Sequence, residues 1–452
     1  MRRVSLQYFL KRFRILCTGL SLVFALRGQM KRREFMQSAT TAVSGMLLLD
    51  PRAVFGYEAN SAVLHGLLGC GNRGTAVATS FAQNTSARVI ALADLFADNL
   101  AAGQDHFNKV NTDLGQPAID SKLLFRGPHA FEQLADSKEV DLIQISTPPY
   151  FHVQHLEAAV ASGKHVYCEK PVGVDVAQTR HALEIAKRVK PNQSVDVGFQ
   201  CRQAPPIAAL EEKIKGGALG KIAAISGNYY APASTEKKRE GEGQDEYRLR
   251  NWLWDRVLSG DILVEQNIHI IDLCNWMLGE HPLKAIATGG RNVLTHYGNC
   301  WDNYQVDFTY PNDVHFSFAS TQFEPDNVFD AGLRLSGANG SATCPYTGPI
   351  AITGSDAWSW QDSESTAPGS GKFAANGAFL DNLKYADRDK ERTFIASIVS
   401  GPTHNQIADG VETALSCILG RMAGYQKREV TWEEMLAQKE DWPLDFSLEQ
   451  FA

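Results

Sequence analysis

The chain has 452 residues, of which 44% are hydrophobic and 21% charged. That balance supports sizeable buried cores and excludes global disorder, and 37 glycines without a three-residue period exclude a collagen-like fibre. The formal charge of −7 is uneven: residues 1–56 hold ten Lys and Arg against two acidic residues, which leaves the rest with 34 basic and 49 acidic. An acidic body argues against a nucleic-acid partner, whose phosphates it would repel. No stretch of that body is apolar for long enough to span a membrane.

The basic N-terminus reads as a targeting segment. Met30-Lys31-Arg32-Arg33-Glu34-Phe35-Met36, followed by the apolar run Ala39 to Leu49, resembles a bacterial twin-arginine export signal. Residues 1–29 hold a second basic and apolar segment, so Met30 is the expected true start. The expected divisions are a signal region and linker over 1–58, a nucleotide-binding domain over 59–200 and a substrate and oligomerisation domain over 201–452. The late helices are expected to pack back on the nucleotide-binding domain.

From Ser61 onward, short apolar runs alternate with helical periodicity. Val63–Leu68, Val89–Ala93, Leu142–Ser146, His165–Cys168 and Val195–Phe199 read as buried parallel strands. The helical stretches are 75–83, 96–110, 151–162 and 176–189. This βαβ repetition predicts a Rossmann-type doubly wound parallel sheet. After residue 200 the pattern becomes an α+β domain with an open antiparallel sheet. Its strands are expected over 222–230, 284–292, 303–310 and 313–321, with a hairpin at Pro311-Asn312-Asp313. A helix is expected at about 261–278, a long surface excursion over 345–372, and helices over 389–400 and 408–424. None of the eight cysteines forms a CxxC pair; Cys70, Cys168, Cys274 and Cys417 sit in apolar surroundings, as structural core thiols do. No metal site is read.

The first strand runs into Gly69-Cys70-Gly71-Asn72-Arg73-Gly74, a G-x-G-x-x-G that opens a helix. Its glycines permit the tight turn, the approach of a pyrophosphate and close helix–strand packing. Asp94 ends the second strand, 20 residues past Gly74. A carboxylate there accepts from ribose hydroxyls and repels a 2′-phosphate, which favours NAD over NADP. Thr147-Pro148 with His152 follows the next expected strand and Glu169-Lys170-Pro171 the one after, both at strand carboxyl ends where open α/β sheets bind ligands. On the expected helix 261–278, Glu265, His269 and Asp272 are spaced by four and three residues, which puts them on one face. A carboxylate one turn from a histidine can orient the imidazole for proton transfer.

In this order the motifs resemble the glucose–fructose oxidoreductase, inositol dehydrogenase and rhizopine-catabolism family, Gfo/Idh/MocA, over about residues 60–435. The resemblance implies a bound nicotinamide cofactor facing a sugar or cyclitol, with an open sheet that pairs subunits into dimers or tetramers. It implies that Lys170 and His269 handle a hydroxyl proton, aided by Glu265. Two departures stand out: the family's usual Asp is Glu265, and its usual Gly two before the histidine is Asn267. Beside a positively charged NAD, Lys170 is expected to have a lowered pKa. Loop 234–251, with Arg250, and the Trp252/Trp254 pair are expected to form a lid on the substrate side, with Asp272 also assigned there. A periplasm offers no NAD pool for recycling, so the cofactor is expected to be tightly bound. The expected activity is oxidation of a sugar, glycoside or cyclitol hydroxyl. The alternatives are a redox-neutral glycosidase or lyase working through a transient keto-sugar, and a catalytically silent NAD-binding protein.

Overall fold

The computed structural model describes residues 62–296, 298–326, 328–360, 373–374, 376–377, 379 and 381–452. The export-signal reading of 1–58 lies outside the described residues. Among the described residues no helix is long and apolar enough to cross a membrane.

The first half alternates strand and helix. β1 (Val63–Leu68), α1 (Asn72–Asn84), β2 (Ala87–Asp94), α2 (Ala97–Asp113), β3 (Leu124–Arg126), α3 (Ala130–Asp136), β4 (Leu142–Ile145), α4 (His152–Ala161), β5 (His165–Cys168), α5 (Val176–Ala186) and β6 (Val195–Val197) follow in order. The sheet runs β3-β2-β1-β4-β5-β6 and its mapped pairs are parallel. The order reverses direction between β1 and β4, which opens a crevice beyond their carboxyl ends. Strand β3, too short for a periodicity signal, was not expected. Its pairing aligns Asp94 with Arg126 at the sheet edge.

After α6 (Pro205–Lys215) comes β7 (Ile222–Pro232), then a helical stretch of α7 (Gln244–Arg250), α8 (Arg256–Ser259), α9 (Ile262–Glu265) and α10 (Ile268–Leu278). The remaining strands are β8 (Lys284–Gly290), β9 (Asn303–Tyr310), β10 (Val314–Glu324), β11 (Asp330–Gly337), β12 (Gly340–Pro345), β13 (Ala351–Gly354), β14 (Trp358–Ser359) and β15 (Val430–Thr431). Helices α11 (Ala386–Val399), α12 (Ile407–Gln426) and α13 (Trp432–Ala437) complete the chain's regular elements. The second sheet runs β14-β13-β12-β11-β7-β10-β9-β8-β15.

Two expectations change here. The second sheet is mixed, because β7 pairs with β10 in parallel. The part of the expected excursion up to residue 360 contains β13 and β14, short strands that extend the sheet beyond β12. The expected hairpin is present, with β9 and β10 antiparallel around Pro311–Asp313. Along β9 the buried residues Tyr304, Val306, Phe308 and Tyr310 alternate with outward-facing positions, so one sheet face is packed and the other open. The packed face shares one apolar cluster with α10, α12 and the lower side of the Rossmann sheet. Helix α11 returns to the first domain, where Phe394 and Ile395 pack with Phe81 and Tyr167. All seven cysteines among the described residues are buried and unpaired.

Candidate functional site

The crevice at the switch point becomes a cleft walled by the glycine loop, the ends of β2, β4 and β5, and α9 and α10 from the second domain. Gly69 has φ 95, and a Cβ there would lie 2.6 Å from the Ser146 carbonyl oxygen, so only glycine lets the two strand ends approach. A Cβ at Gly74 would meet the Gly69 oxygen at 2.1 Å. At Gly71, by contrast, a Cβ would meet nothing within 4 Å. Gly71 is also the N-cap of α1, and no side chain caps that end. The loop thus leaves first-turn N–H groups beside open space, which fits a pyrophosphate.

Asp94, 7% exposed, faces this space. Its Oδ2 accepts from Cys70 N at 2.8 Å and its Oδ1 from Phe96 N at 2.9 Å, so the carboxylate also shapes the glycine loop. Burial pushes its pKa up, while those N–H bonds pull it back. Each oxygen keeps acceptor capacity for a ribose hydroxyl.

Asn72, Thr147 and Pro148 also line the cleft, and Thr147 Oγ1 meets His155 Nδ1 at 3.0 Å. His152 does not line it. It is buried behind the loop, with Nδ1 2.8 Å from the Pro171 oxygen and Nε2 2.8 Å from the Thr147 oxygen. Burial pushes its pKa down, so only one of the two carbonyl contacts is a donor bond while the ring is neutral. His152 therefore braces the two loops, and it is His155 of the same helix that lines the cleft.

Arg73 and Glu169 line the cleft but are bound to each other. Arg73 Nε donates to Glu169 Oε1 at 2.9 Å, and its two terminal nitrogens donate to Asp387 at 2.8 and 2.9 Å. The guanidinium thereby ties α11 to the glycine loop. Burial raises the Glu169 pKa, opposed by Arg73 and Lys170.

Lys170 and α9–α10 form the chemical end of the cleft. Lys170 Nζ donates to Glu265 Oε1 and to the Glu265 main-chain oxygen, both at 2.7 Å. Glu265 therefore serves Lys170 and not His269, which corrects the expected acid–histidine pair. The reason is local. The expected single helix is broken at Gln266–Asn267, where Asn267 N reaches back five residues to the Ile262 oxygen. That wide turn inserts a residue and rotates α10 relative to α9, so a spacing of four no longer stacks the two side chains. His269 lines the cleft at 6% exposure, and its Nδ1 is buried without a partner. Burial, followed by the Lys170 and Arg73 charges, pushes its pKa well below the ordinary histidine value. The ring is held neutral.

Two residues expected on the substrate side have other partners. Asp272 is fully buried outside the cleft, paired with Arg202 at 2.6 and 2.9 Å and accepting from Thr413 Oγ1 at 3.0 Å. Its bonds to Arg202 and Thr413 hold it on the packed side. Arg250 lines the cleft at the Asp94 end, over the Phe96 ring at 3.8 Å and paired with Asp98 at 3.0 Å. It is placed by that ion pair against the first domain. Trp254 does line the cleft, 3% exposed. Gln200, Tyr229 and Gln266 also line it and were not anticipated. Gln200 follows the carboxyl end of β6, so the rule that exposed Lys170 would have found it; Tyr229 lies inside a strand and carries no such signal.

The comparisons follow the same geometry. An NAD-binding Rossmann-fold model of the Gfo/Idh/MocA oxidoreductase family matches residues 63–197, and a C-terminal-domain model of that family matches 207–343. Inositol 2-dehydrogenase of Rhizobium meliloti is 24% identical over 340 residues, 75% of this chain and 89% of the relative. The solved structure of a levoglucosan dehydrogenase with NADH and levoglucosan superposes with TM-score 0.63 at 18% identity, covering 82% of this chain and 99% of that one. An aldose-aldose oxidoreductase from Caulobacter crescentus, solved with glycerol, gives TM-score 0.62 at 18% identity over 82% and 99% of the two chains. With both domains matched in order and the glycine loop, Asp94 and Lys170 standing in one cleft, the chain belongs to the Gfo/Idh/MocA family and is an NAD-binding oxidoreductase.

Proposed function

We propose that the protein oxidises a hydroxyl of a sugar, glycoside or cyclitol with an NAD that stays bound through many turnovers. The observation that carries this reading is the Lys170–Glu265 pair beside a neutral His269, at the end of a cleft that begins at the glycine loop and Asp94. The names of its relatives, an inositol dehydrogenase and a levoglucosan dehydrogenase, support the substrate class.

Asp94 and the first turn of α1 would hold the ribose and pyrophosphate of the nucleotide. When bound, the nicotinamide ring supplies the hydride acceptor. Oxidising an alcohol carbon then leaves one hydroxyl proton to be removed. Lys170, fixed by two bonds to Glu265, presents a charged donor to the hydroxyl oxygen and stabilises negative charge as it develops there. His269, which lines the cleft with an unpartnered Nδ1, is the group assigned to take the proton. Trp254 supplies an apolar face suited to the C–H surface of a sugar ring.

The Arg32-Arg33 pair supports an exported, periplasmic enzyme, and the open face of the second sheet supports a homodimer or homotetramer. The test is to screen sugars, cyclitols and glycosides for nicotinamide reduction by the purified protein. Absorbance that rises with a sugar or cyclitol supports the reading. Cleavage of a glycoside without net reduction replaces it with the redox-neutral alternative.

A further inference from the structure

The cleft that holds Asp94 is also lined by two segments remote from it in sequence. One is α7 with the turn Trp252–Trp254; the other is the C-terminal stretch 442–452. With the loops after β2 and β4 they make an apolar cluster separate from the main core, with Phe151 and Leu249 buried and Phe96, Trp252, Leu448 and Phe451 packed around them. Leu249 and Leu448 line the same cleft as Gly71 and Asp94.

Polar contacts hold the two segments to each other and to the first domain. Arg248 donates to Asp255 and to Asp445, each at 2.7 Å, and lies over the Phe446 ring at 5.0 Å. Leu444 N donates to Tyr150 Oη at 3.0 Å, Trp442 N to Asp175 Oδ2 at 2.9 Å, and Gln450 Nε2 to Asp245 Oδ2 at 3.1 Å. Arg239 and Arg250 converge on Asp98 in the first turn of α2, at 2.5 and 3.0 Å.

We propose that α7 and the C-terminal stretch are a clasp that forms part of the NAD site and sets how slowly the nucleotide leaves. The argument rests on NAD occupying this cleft. Leu249 and Leu448 line the cleft together with Asp94, so an adenosine seated at Asp94 would meet them and opening of their cluster would ease its exit. Because that cluster is separate from the main core, it can open as a local unit while the two sheets stay folded. Most of its ion pairs are partly exposed and individually weak, so the apolar contacts hold it.

The test measures NADH release from the full-length protein, by the fall in bound-NADH fluorescence after excess NAD is added. Three forms are compared: the parent, the double variant Leu448→Ala with Phe451→Ala, and a form with Asp245→Cys and Gln450→Cys joined by a short bismaleimide. The clasp predicts release faster by about tenfold or more in the double variant, since interface changes act mainly on dissociation. It predicts slower release in the cross-linked form. The cross-link keeps the test decisive if the double variant folds poorly. Release rates insensitive to both changes overturn the clasp, and a protein that binds no NADH overturns it together with the function above. Release that responds as expected while no sugar or cyclitol is oxidised sustains the clasp and removes only the substrate assignment.

Discussion

Asp94 does two jobs with one carboxylate: it accepts from the loop N–H of Cys70 and faces the space where a ribose belongs. Asp94→Ala should therefore weaken NAD binding by about tenfold or more, about 1.4 kcal/mol, and narrow the preference for NAD over NADP. Titration with both nucleotides checks this, and unchanged discrimination removes Asp94 from the site. At the other end, His269→Ala and Lys170→Ala should each lower turnover by about a hundredfold. Lys170→Ala also strands the Glu265 carboxylate, so Lys170→Arg, which keeps the charge, separates lost chemistry from lost folding. A third residue-scale expectation concerns His65, fully buried, with burial lowering its pKa to about 3 against a smaller opposing effect of Gln144. The unfolded ring takes up a proton near 6.5 and the folded ring only near 3, so stability is full above 6.5 and is lost as pH falls between those values. From pH 7 to pH 5 the parent should lose about 2 kcal/mol more than His65→Leu in urea titrations; equal losses contradict it. These site residues were legible because their motifs are short and local. Glycine loop, ribose carboxylate and strand-end lysine each act through the few residues around them, whereas the surroundings of Arg250 and Asp272 were not legible, because the ion pairs that orient them reach Asp98 and Arg202, far away in sequence.

Among elements, the break between α9 and α10 has the largest chemical consequence. Hydrophobic periodicity runs straight through 261–278, and the wide turn at Asn267 leaves no mark in it, so the sequence reads as one helix. The break frees the Glu265 main-chain oxygen for Lys170 and sends the carboxylate to the same partner. The extra methylene of Glu265, relative to the family's usual Asp, provides the reach. Glu265→Asp should accordingly draw the carboxylate back from Lys170 and lower kcat by about tenfold. Because α1 and Asp94 are untouched, the NADH dissociation constant should stay unchanged. A matching loss of NADH affinity would show that Glu265 supports the fold of the cleft and not the lysine. The Rossmann strands other than β3 were readable because they are largely buried on both faces and their runs are continuous, whereas β3 is short and partly exposed. Strands β11 to β14 were not. β13 and β14 are short, β11 and β12 are interrupted by Gly and Ser, and all pair through register with β7 or with one another, which no local pattern reports.

Over the whole molecule, the second domain does more than face the first. It sends α11 back to hold Arg73 beside the glycine loop, and α7 with the C-terminal stretch to the mouth of the cleft. These long-range returns carry no sequence motif, yet Leu249, Arg250 and Leu448 line the cleft and Asp387 of α11 reaches it through Arg73. The protein's central property, on this account, is that it holds NAD and does not exchange it freely. The most direct measurement is the nucleotide content of protein purified and dialysed without added cofactor, read from its absorbance and from a denatured extract. The account predicts about one NAD or NADH per chain, as nanomolar affinity requires. It also predicts a single burst of at most about one NADH per site with one sugar, reversed by a keto-sugar. An empty protein that turns over continuously only when NAD is supplied would contradict it.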